Sequence, residues 1–182
     1  MIFEGEYLNG KRNGKGKEYY KNLKLKFEGE YLNWKKWNGK EYNIDGKLEY
    51  EIKNGKGYVK EYHYNDKLKF EGEYLNGERN GKGKEYEYGH LIFEGEYLNG
   101  KRNGKAKEYY YEFRFEGEYL NGKRNGKAKE YYYNTLVFEG EYLNGKKWNG
   151  KGKEYDDYGD LEFEGEYLNG ERIRYKEECK IF

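Results

Sequence analysis

The sequence FEGEYLNGKRNGKGKEY, residues 3 to 19, recurs with small changes along the whole chain. The copies open at an aromatic residue: Phe3, Phe27, Tyr50, Phe70, Phe93, Phe115, Phe138 and Phe163. Successive openings are 24, 23, 20, 23, 22, 23 and 25 residues apart. A unit this short cannot bury a core of its own, so neighbouring copies have to stack against each other. The eight repeats predict one repeat domain over residues 1–182.

Each repeat alternates apolar or small residues with charged ones. In the second repeat, Leu25, Phe27, Gly29 and Tyr31 occupy every second position, and Lys or Glu residues lie between them. This period of two indicates a β-strand with one dry face, whereas a helix would need a period of 3.6. Asn-Gly turn residues and a second extended segment follow, such as residues 15–19. Each repeat is therefore predicted to be a β-hairpin.

Eight such hairpins predict an all-β fold: an elongated, twisted, single-layer antiparallel sheet with no helices, because the connections are too short for a covering helix. The opening Phe, the mid-strand Tyr and the Tyr that closes the second segment are all expected on the buried face. The closing tyrosines are Tyr19, Tyr42, Tyr62, Tyr86, Tyr109, Tyr131 and Tyr155. The glycine two positions after each opening Phe is expected to leave a slot for an aromatic ring.

Composition argues against catalysis. The chain has no Pro, Ser or Gln, one Thr, two His and one Cys, so most nucleophile and metal-ligand sets are missing. No enzyme activity, metal site or cofactor is expected. The net charge of +1 predicts no nucleic-acid partner. The absence of a signal peptide or a long apolar run, with Cys179 alone, indicates a cytoplasmic protein in which Cys179 is a small buried apolar residue.

The text Phe3-Glu4-Gly5-Glu6-Tyr7, followed by residues 9–16 (NGKRNGKG), resembles the MORN repeat. The resemblance covers all eight repeats. It implies an elongated stack of hairpins that acts as a scaffold near membranes or the cytoskeleton, sometimes self-associates, and in some members binds phospholipids. Asn13 stands where the family commonly has His, and Ala106 and Ala128 replace the second glycine of the GxG pair. After Glu171 the last repeat departs from the pattern and is expected to be a C-terminal cap.

The irregular second and third repeats are the predicted protein-binding region, around residues 31 to 62. Trp34 and Trp37 lie at the turn of the second repeat, and exposed Trp is common at interface hot spots. The alternative explanation is local packing over a distorted turn. The candidate protein-binding residues are Tyr31, Trp34, Trp37, Tyr42, Tyr50, Tyr58 and Trp148.

Basic pairs at the hairpin turns predict a second surface along one margin of the sheet. Such a stripe favours anionic lipid headgroups, while the alternative is a solvated margin that keeps the turns soluble. Its residues are Lys11, Arg12, Lys101, Arg102, Lys123, Arg124, Lys146 and Lys147. Glu4 and Glu6 are assigned to cross-strand pairs with lysines and not to acid–base chemistry.

The predicted function is a non-enzymatic scaffold for protein–protein interaction through an aromatic sheet face and the irregular turns. Homodimerisation through the unpaired edge strand near Phe3 is compatible with it. The alternative is peripheral binding of phospholipid headgroups through the basic turns. A third interpretation, a designed consensus sequence without a biological partner, is disfavoured by the irregular third repeat.

Overall fold

The computed structural model describes residues 2–63, 65, 67–156 and 158–175. Within these residues the regular structure is entirely β, which confirms the predicted fold class. The strands are β1 (Ile2–Leu8), β2 (Lys11–Tyr19), β3 (Leu25–Leu32), β4 (Lys35–Tyr42), β5 (Leu48–Ile52), β6 (Gly57–Tyr62), β7 (Leu68–Leu75), β8 (Glu78–Glu87), β9 (His90–Leu98), β10 (Lys101–Tyr110), β11 (Phe113–Leu120), β12 (Lys123–Tyr132), β13 (Thr135–Leu143), β14 (Lys146–Tyr155), β15 (Leu161–Leu168) and β16 (Glu171–Arg174). Most of the predicted cap and Cys179 lie outside the described residues.

The strands form two open sheets, β1 to β5 and β6 to β16, each in chain order. The chain also divides into two compact units, residues 1–91 with 97–101 and residues 92–96 with 102–182. The pairings within each sheet are antiparallel. The third repeat is the exception to the hairpin pattern, because its strands β5 and β6 belong to different sheets and only an isolated bridge between Lys53 and Lys56 closes the turn between them. A single domain over residues 1–182 stays a prediction.

Asn-Gly pairs make the tight turns of most hairpins. At the first turn Asn9 has φ 50° and Gly10 has φ 74°, and the other Asn-Gly turns are similar. Positive φ at both positions is the requirement of a type I′ turn, which matches the twist of the flanking strands. In the second repeat Trp34 takes the glycine position at φ 74°.

Strand register divides the side chains between two faces. Phe115 lies opposite Glu130 and Gly117 opposite Ala128, while Glu116 lies opposite Lys129 on the other face. We call these the phenylalanine face and the charged face. The opening Phe side chains of six repeats are at most 1% exposed: Phe27, Phe70, Phe93, Phe115, Phe138 and Phe163. The core of each unit therefore lies on the phenylalanine face.

The glycines of the strands lie beneath these rings, as the sequence predicts. A Cβ placed on Gly83 would lie 2.6 Å from the Phe70 ring, and one on Gly72 would lie 2.7 Å from the same ring. The ring therefore rests directly on the backbone of two neighbouring strands. A side chain added at Gly72 or Gly83 would have to shift this ring, although Ala takes the place equivalent to Gly83 in the fifth and sixth repeats.

The closing tyrosines are on the charged face, so their predicted burial with the phenylalanines is wrong. Tyr131 lies opposite Arg114, whose guanidinium is 4.3 Å from the Tyr131 ring centroid. Tyr109 donates a 2.7 Å hydrogen bond to Glu94, and burial together with this bond raises the pKa of Tyr109 to about 12. The residue before each closing Tyr, a glutamate such as Glu130, takes the place opposite the phenylalanine.

Candidate interaction surfaces

A ladder of buried ion pairs runs along the phenylalanine face of the second unit. Arg124 Nε lies 2.9 Å from Glu108 Oε1, and its Nη1 lies 3.0 Å from Glu130 Oε1. Lys147 Nζ continues the ladder at 3.0 Å from Glu130 Oε2 and 3.5 Å from Glu154 Oε1. Because these groups are largely desolvated, each cation and carboxylate needs the others as partners.

Cations on the phenylalanine face of both units also cover aromatic rings. The guanidinium carbon of Arg124 lies 4.1 Å from the Phe115 ring centroid, and that of Arg12 lies 3.9 Å from the Phe3 centroid. The Phe115 ring is thus enclosed between strand backbone on one side and a cation on the other. This arrangement explains how a single sheet layer buries its rings completely.

The mid-strand tyrosines complete the ladder. Tyr142 donates to Glu130, and Tyr167 donates a 2.5 Å hydrogen bond to Glu154. Burial and the negative charge of Glu130 raise the pKa of Tyr142 far above its usual value. These hydroxyls therefore stay protonated and act as structural donors in the core.

The third repeat replaces the ladder by aliphatic packing. Ile52 lies opposite Gly39, and Val59 lies opposite Gly72. Both side chains are buried in one cluster with Phe27. A short bend, closed by pairing between residues 53 and 56, leaves no room for the cation that other hairpins carry.

The missing cation changes the electrostatics of the neighbouring carboxylates. Burial raises the pKa of Glu41, and Lys36 and Lys26 offset this only in part. Burial also opposes ionisation of Glu18, but Lys36 and Arg12 outweigh it and the pKa of Glu18 is lowered. Two equivalent glutamates, one repeat apart, are therefore shifted in opposite directions.

The predicted basic margin divides into two sets. Arg12, Arg102, Arg124 and Lys147 turn inward over phenylalanine rings. The exposed set is Lys11, Lys101, Lys123 and Lys146. Three of these four lysines lie directly across the hairpin from an exposed leucine: Leu8, Leu120 and Leu143. The hairpin tips are thus amphipathic, with half of the predicted positive charge used in the core.

Trp37 and Trp148 hold equivalent places in the second and seventh repeats. Each ring lies against the turn glycine of the following hairpin: a Cβ on Gly55 would be 2.7 Å from the Trp37 ring, and one on Gly170 would be 3.3 Å from the Trp148 ring. The shared sequence KKWNGK, at residues 35–40 and 146–151, could have indicated that both tryptophans pack in the same way. Both residues pack within their own compact unit.

Trp34 instead lies at the surface. Its side chain is 51% exposed, and its ring is in edge contact with that of Tyr7, centroid to centroid 6.2 Å. The guanidinium of Arg12 lies 5.9 Å from the Trp34 ring. Trp34 and Tyr7 are exposed beside the mostly buried Arg12, and we call these three residues the Trp34 cluster. Trp, Tyr and Arg are the residue types that dominate protein interfaces.

The four candidate tyrosines are not brought together on one surface. Tyr31 is buried in the core cluster, with Tyr50 packed against that cluster. Tyr42 donates a 2.9 Å hydrogen bond to Glu28 on the charged face, where exposed Tyr58 lies opposite Glu73. The sequence prediction therefore grouped tyrosines that lie on different faces, and their role in binding stays a prediction.

A set of links between hairpins escaped sequence reasoning. The side-chain oxygen of an Asn in one repeat accepts a hydrogen bond from the backbone NH of the first turn residue of the next: Asn13 from Asn33, Asn38 from Asn54, Asn103 from Asn121, Asn125 from Asn144, and Asn149 from Asn169, at 2.7 to 3.2 Å. This Asn recurs at a fixed place in the repeats, and that recurrence is the sequence feature that could have indicated the links. It ties each turn to the strand before it.

The described residues contain no group of three or more His, Cys, Asp or Glu side chains placed to hold a metal ion. In the same part of the chain, no helix is long and apolar enough to cross a membrane.

Comparison with protein families identifies the repeat. The MORN repeat family matches residues 3–23, 70–86, 93–112 and 115–136. No curated protein matches the chain significantly. MORN repeats are non-enzymatic modules that generally mediate interactions with proteins or membranes. Outside the matched segments, the hairpins that open at Phe27 and Phe138 have the same strand pairing and the same ring-on-glycine packing. The chain therefore contains MORN repeats, and its successive hairpins form an array of that kind.

Proposed function

We propose that the protein is a non-enzymatic scaffold that binds a protein partner through the Trp34 cluster and the adjoining irregular repeats, residues 31 to 62. The observation that carries this proposal is the backbone of Trp34, which has φ 74° where the other turns have Gly. A bulky residue in the left-handed region is strained, and strain of this kind concentrates at functional sites. Half of the Trp34 side chain is exposed, so burial does not compensate for the strain.

The same region offers a route to self-association. Among the described residues β1 pairs only with β2, so one edge of β1 has no strand partner there, beside the Trp34 cluster. A second copy that adds to this edge would cover Tyr7 and Trp34. The proposed place of action is the cytoplasm, at the periphery of a membrane or the cytoskeleton.

A Trp34→Gly variant tests the proposal without damaging the turn. Gly suits φ 74° and occupies this position in the other hairpins, so we expect unchanged or higher stability. The control is Leu23→Gly, another exposed residue at positive φ in the same unit. Affinity capture gives the set of co-purified proteins, and the sedimentation coefficient at several concentrations gives the oligomeric state. Both should differ from wild type in Trp34→Gly only. Identical partners and an identical oligomeric state for all three proteins would refute the proposal.

The alternative is peripheral binding of anionic phospholipid headgroups at the amphipathic tips. The specific observation that favours it is the exposed Leu–Lys pair of a hairpin tip, such as Leu120 and Lys123, because it combines an apolar anchor with a charge. Sedimentation with vesicles containing phosphatidylinositol phosphates, at low and high salt, tests it. A quadruple variant should lose salt-sensitive binding when Gln replaces all four exposed tip lysines: Lys11, Lys101, Lys123 and Lys146. Lys153→Gln, on the charged face, should retain this binding.

A further inference from the structure

A group of exposed tyrosines marks the connection ends of the second unit. They come from the links β10–β11, β12–β13 and β14–β15, on the margin opposite the hairpin tips. We call this set the tyrosine margin: Tyr110, Tyr111, Tyr132, Tyr133, Tyr155 and Tyr158, all exposed. In the first unit, Tyr88 of the two-residue link β8–β9 is likewise exposed at φ 51°, whereas the five-residue connections at 20–24 and 43–47 contain Asn and Lys.

The backbone conformation at the tyrosine margin does not favour tyrosine at these positions. Tyr111 has φ 52° and Tyr133 has φ 45°, a conformation that Asn or Gly adopts much more easily. Their side chains are 89% and 65% exposed, so packing does not explain them either. Large rings kept in water at strained positions indicate a contact with another molecule.

The rings contact one another within and between the connections, while the connections themselves are spaced by the strands. Tyr110 and Tyr111 have centroids 5.0 Å apart, and Tyr132 and Tyr133 have centroids 4.8 Å apart. Tyr155 stacks on Tyr132 at 6.1 Å. Successive connections are separated by two strands, about 9.6 Å. A polyproline II helix advances about 9.3 Å per turn of three residues, so prolines at every third position match this repeat.

The charged residues near the tyrosine margin indicate the charge that a ligand should carry. Glu112, Asp156 and Asp160 are exposed at the same connections. The nearby cation, Arg114, contacts Glu116 at 3.2 Å and lies over Tyr131. An acidic, tyrosine-rich surface favours a basic ligand and disfavours nucleic acid.

We propose that the tyrosine margin binds a basic, proline-rich segment of a partner protein in the polyproline II conformation. Tyrosine-lined surfaces recognise this conformation because it is extended and preformed, with little ordering entropy to lose. Residues 1–182 contain no proline, so such a segment lies outside them. This inference concerns a surface distinct from the Trp34 cluster and does not depend on the function proposed above.

The test uses the full chain and a synthetic peptide, Arg-Arg-Pro-x-x-Pro-x-x-Pro-Arg-Arg, in isothermal titration calorimetry. We expect saturable binding that weakens at least tenfold in a Tyr111→Asn, Tyr133→Asn double variant. That variant should unfold at the same or a higher temperature, because Asn relieves the positive-φ strain. A merely structural role of the tyrosines predicts the reverse, lower stability.

Three controls make the result specific. Leu23→Asn also places Asn at a positive-φ position, φ 63°, but in the first unit. This variant should bind the peptide like wild type. Trp34→Gly should also bind normally, which separates this inference from the proposed function. A peptide with Ala for Pro and all arginines retained should bind at least tenfold more weakly. Equal binding of the Ala peptide, wild-type affinity in the double variant, or no binding of the proline peptide would overturn the proposal.

Discussion

The third and sixth repeats share a strand–turn–strand sequence but differ in strand pairing and in their cores. In the sixth, Phe115 lies on glycine and alanine backbone, and Arg124 covers the ring and joins two glutamates. In the third, Ile52 and Val59 fill the corresponding slots and no cation is present. The comparison shows that ring, small residue and cation form one cooperative set. When the hairpin is too short for the cation, aliphatic side chains replace the small residues as well.

Removing the ring should have the largest effect. Phe115→Ala empties a fully buried site and leaves Arg124 without its aromatic support, so we expect a loss of about 3–5 kcal/mol in the free energy of unfolding. Ile52→Val in the third repeat should cost only about 1 kcal/mol. Urea denaturation of both variants, with exposed Leu120→Ala as control, measures the difference. Similar losses for the two core variants would contradict the distinction.

Neutralising a ladder carboxylate should come next. Glu130→Gln leaves Arg124 and Lys147 short of a partner and should cost about 2–3 kcal/mol, since both cations are partly solvated. Glu41→Gln should cost less than about 1 kcal/mol, because the pKa of Glu41 is raised and its charge is poorly compensated. Urea denaturation at pH 7 gives the comparison. Equal costs would show that the interruption at the third repeat has no electrostatic consequence.

The pH dependence of two variants should have opposite signs. The lowered pKa of Glu18 contributes stability above the unfolded value near 4.5, and this is lost as pH falls through the folded pKa. The raised pKa of Glu41 contributes below that value and is lost as pH rises through the folded pKa. The cost of Glu18→Gln should therefore be largest at neutral pH, and that of Glu41→Gln largest near pH 4. Unfolding curves between pH 3.5 and 7.5 check this, and parallel curves would be inconsistent with it.

The inter-hairpin asparagines should give the smallest effect. Asn125→Ala removes the acceptor for the backbone NH of Asn144 and should cost about 1 kcal/mol. Asn125→Asp keeps an acceptor and serves as control. Amide hydrogen exchange at Asn144 should quicken in the Ala variant only. Unaltered exchange in both would show that the link is dispensable.

The sequence predicted the fold well because the repeated alternation defines strands and turns locally. It missed the face of the closing tyrosines, since counting in twos from Gly16 places Glu18, and not Tyr19, opposite Phe27. A glutamate at a buried position contradicts the usual hydrophobic pattern unless its cation partner is known. That partner, Lys36, comes from the neighbouring hairpin. Inter-repeat pairing of this kind is a tertiary property that no local pattern contains.

The sequence also could not predict which of the candidate residues are exposed. Trp34 and Trp37 are three positions apart in one turn, yet one is exposed and the other lies on Gly55. Trp34 takes the turn position that Gly has elsewhere, whereas Trp37 lies within β4, whose pairing with β3 shifts register between Glu30 and Tyr31. Composition marks both as unusual, but only the bulge geometry separates a packing residue from an accessible one.

The asparagine links give the array a direction. Each acceptor belongs to the earlier repeat and each donor to the later one, as between Asn103 and Asn121. During synthesis from the amino terminus, every emerging turn thus meets a docking strand that has already left the ribosome. Damage to one link should then disturb the hairpin made next and spare the one made before.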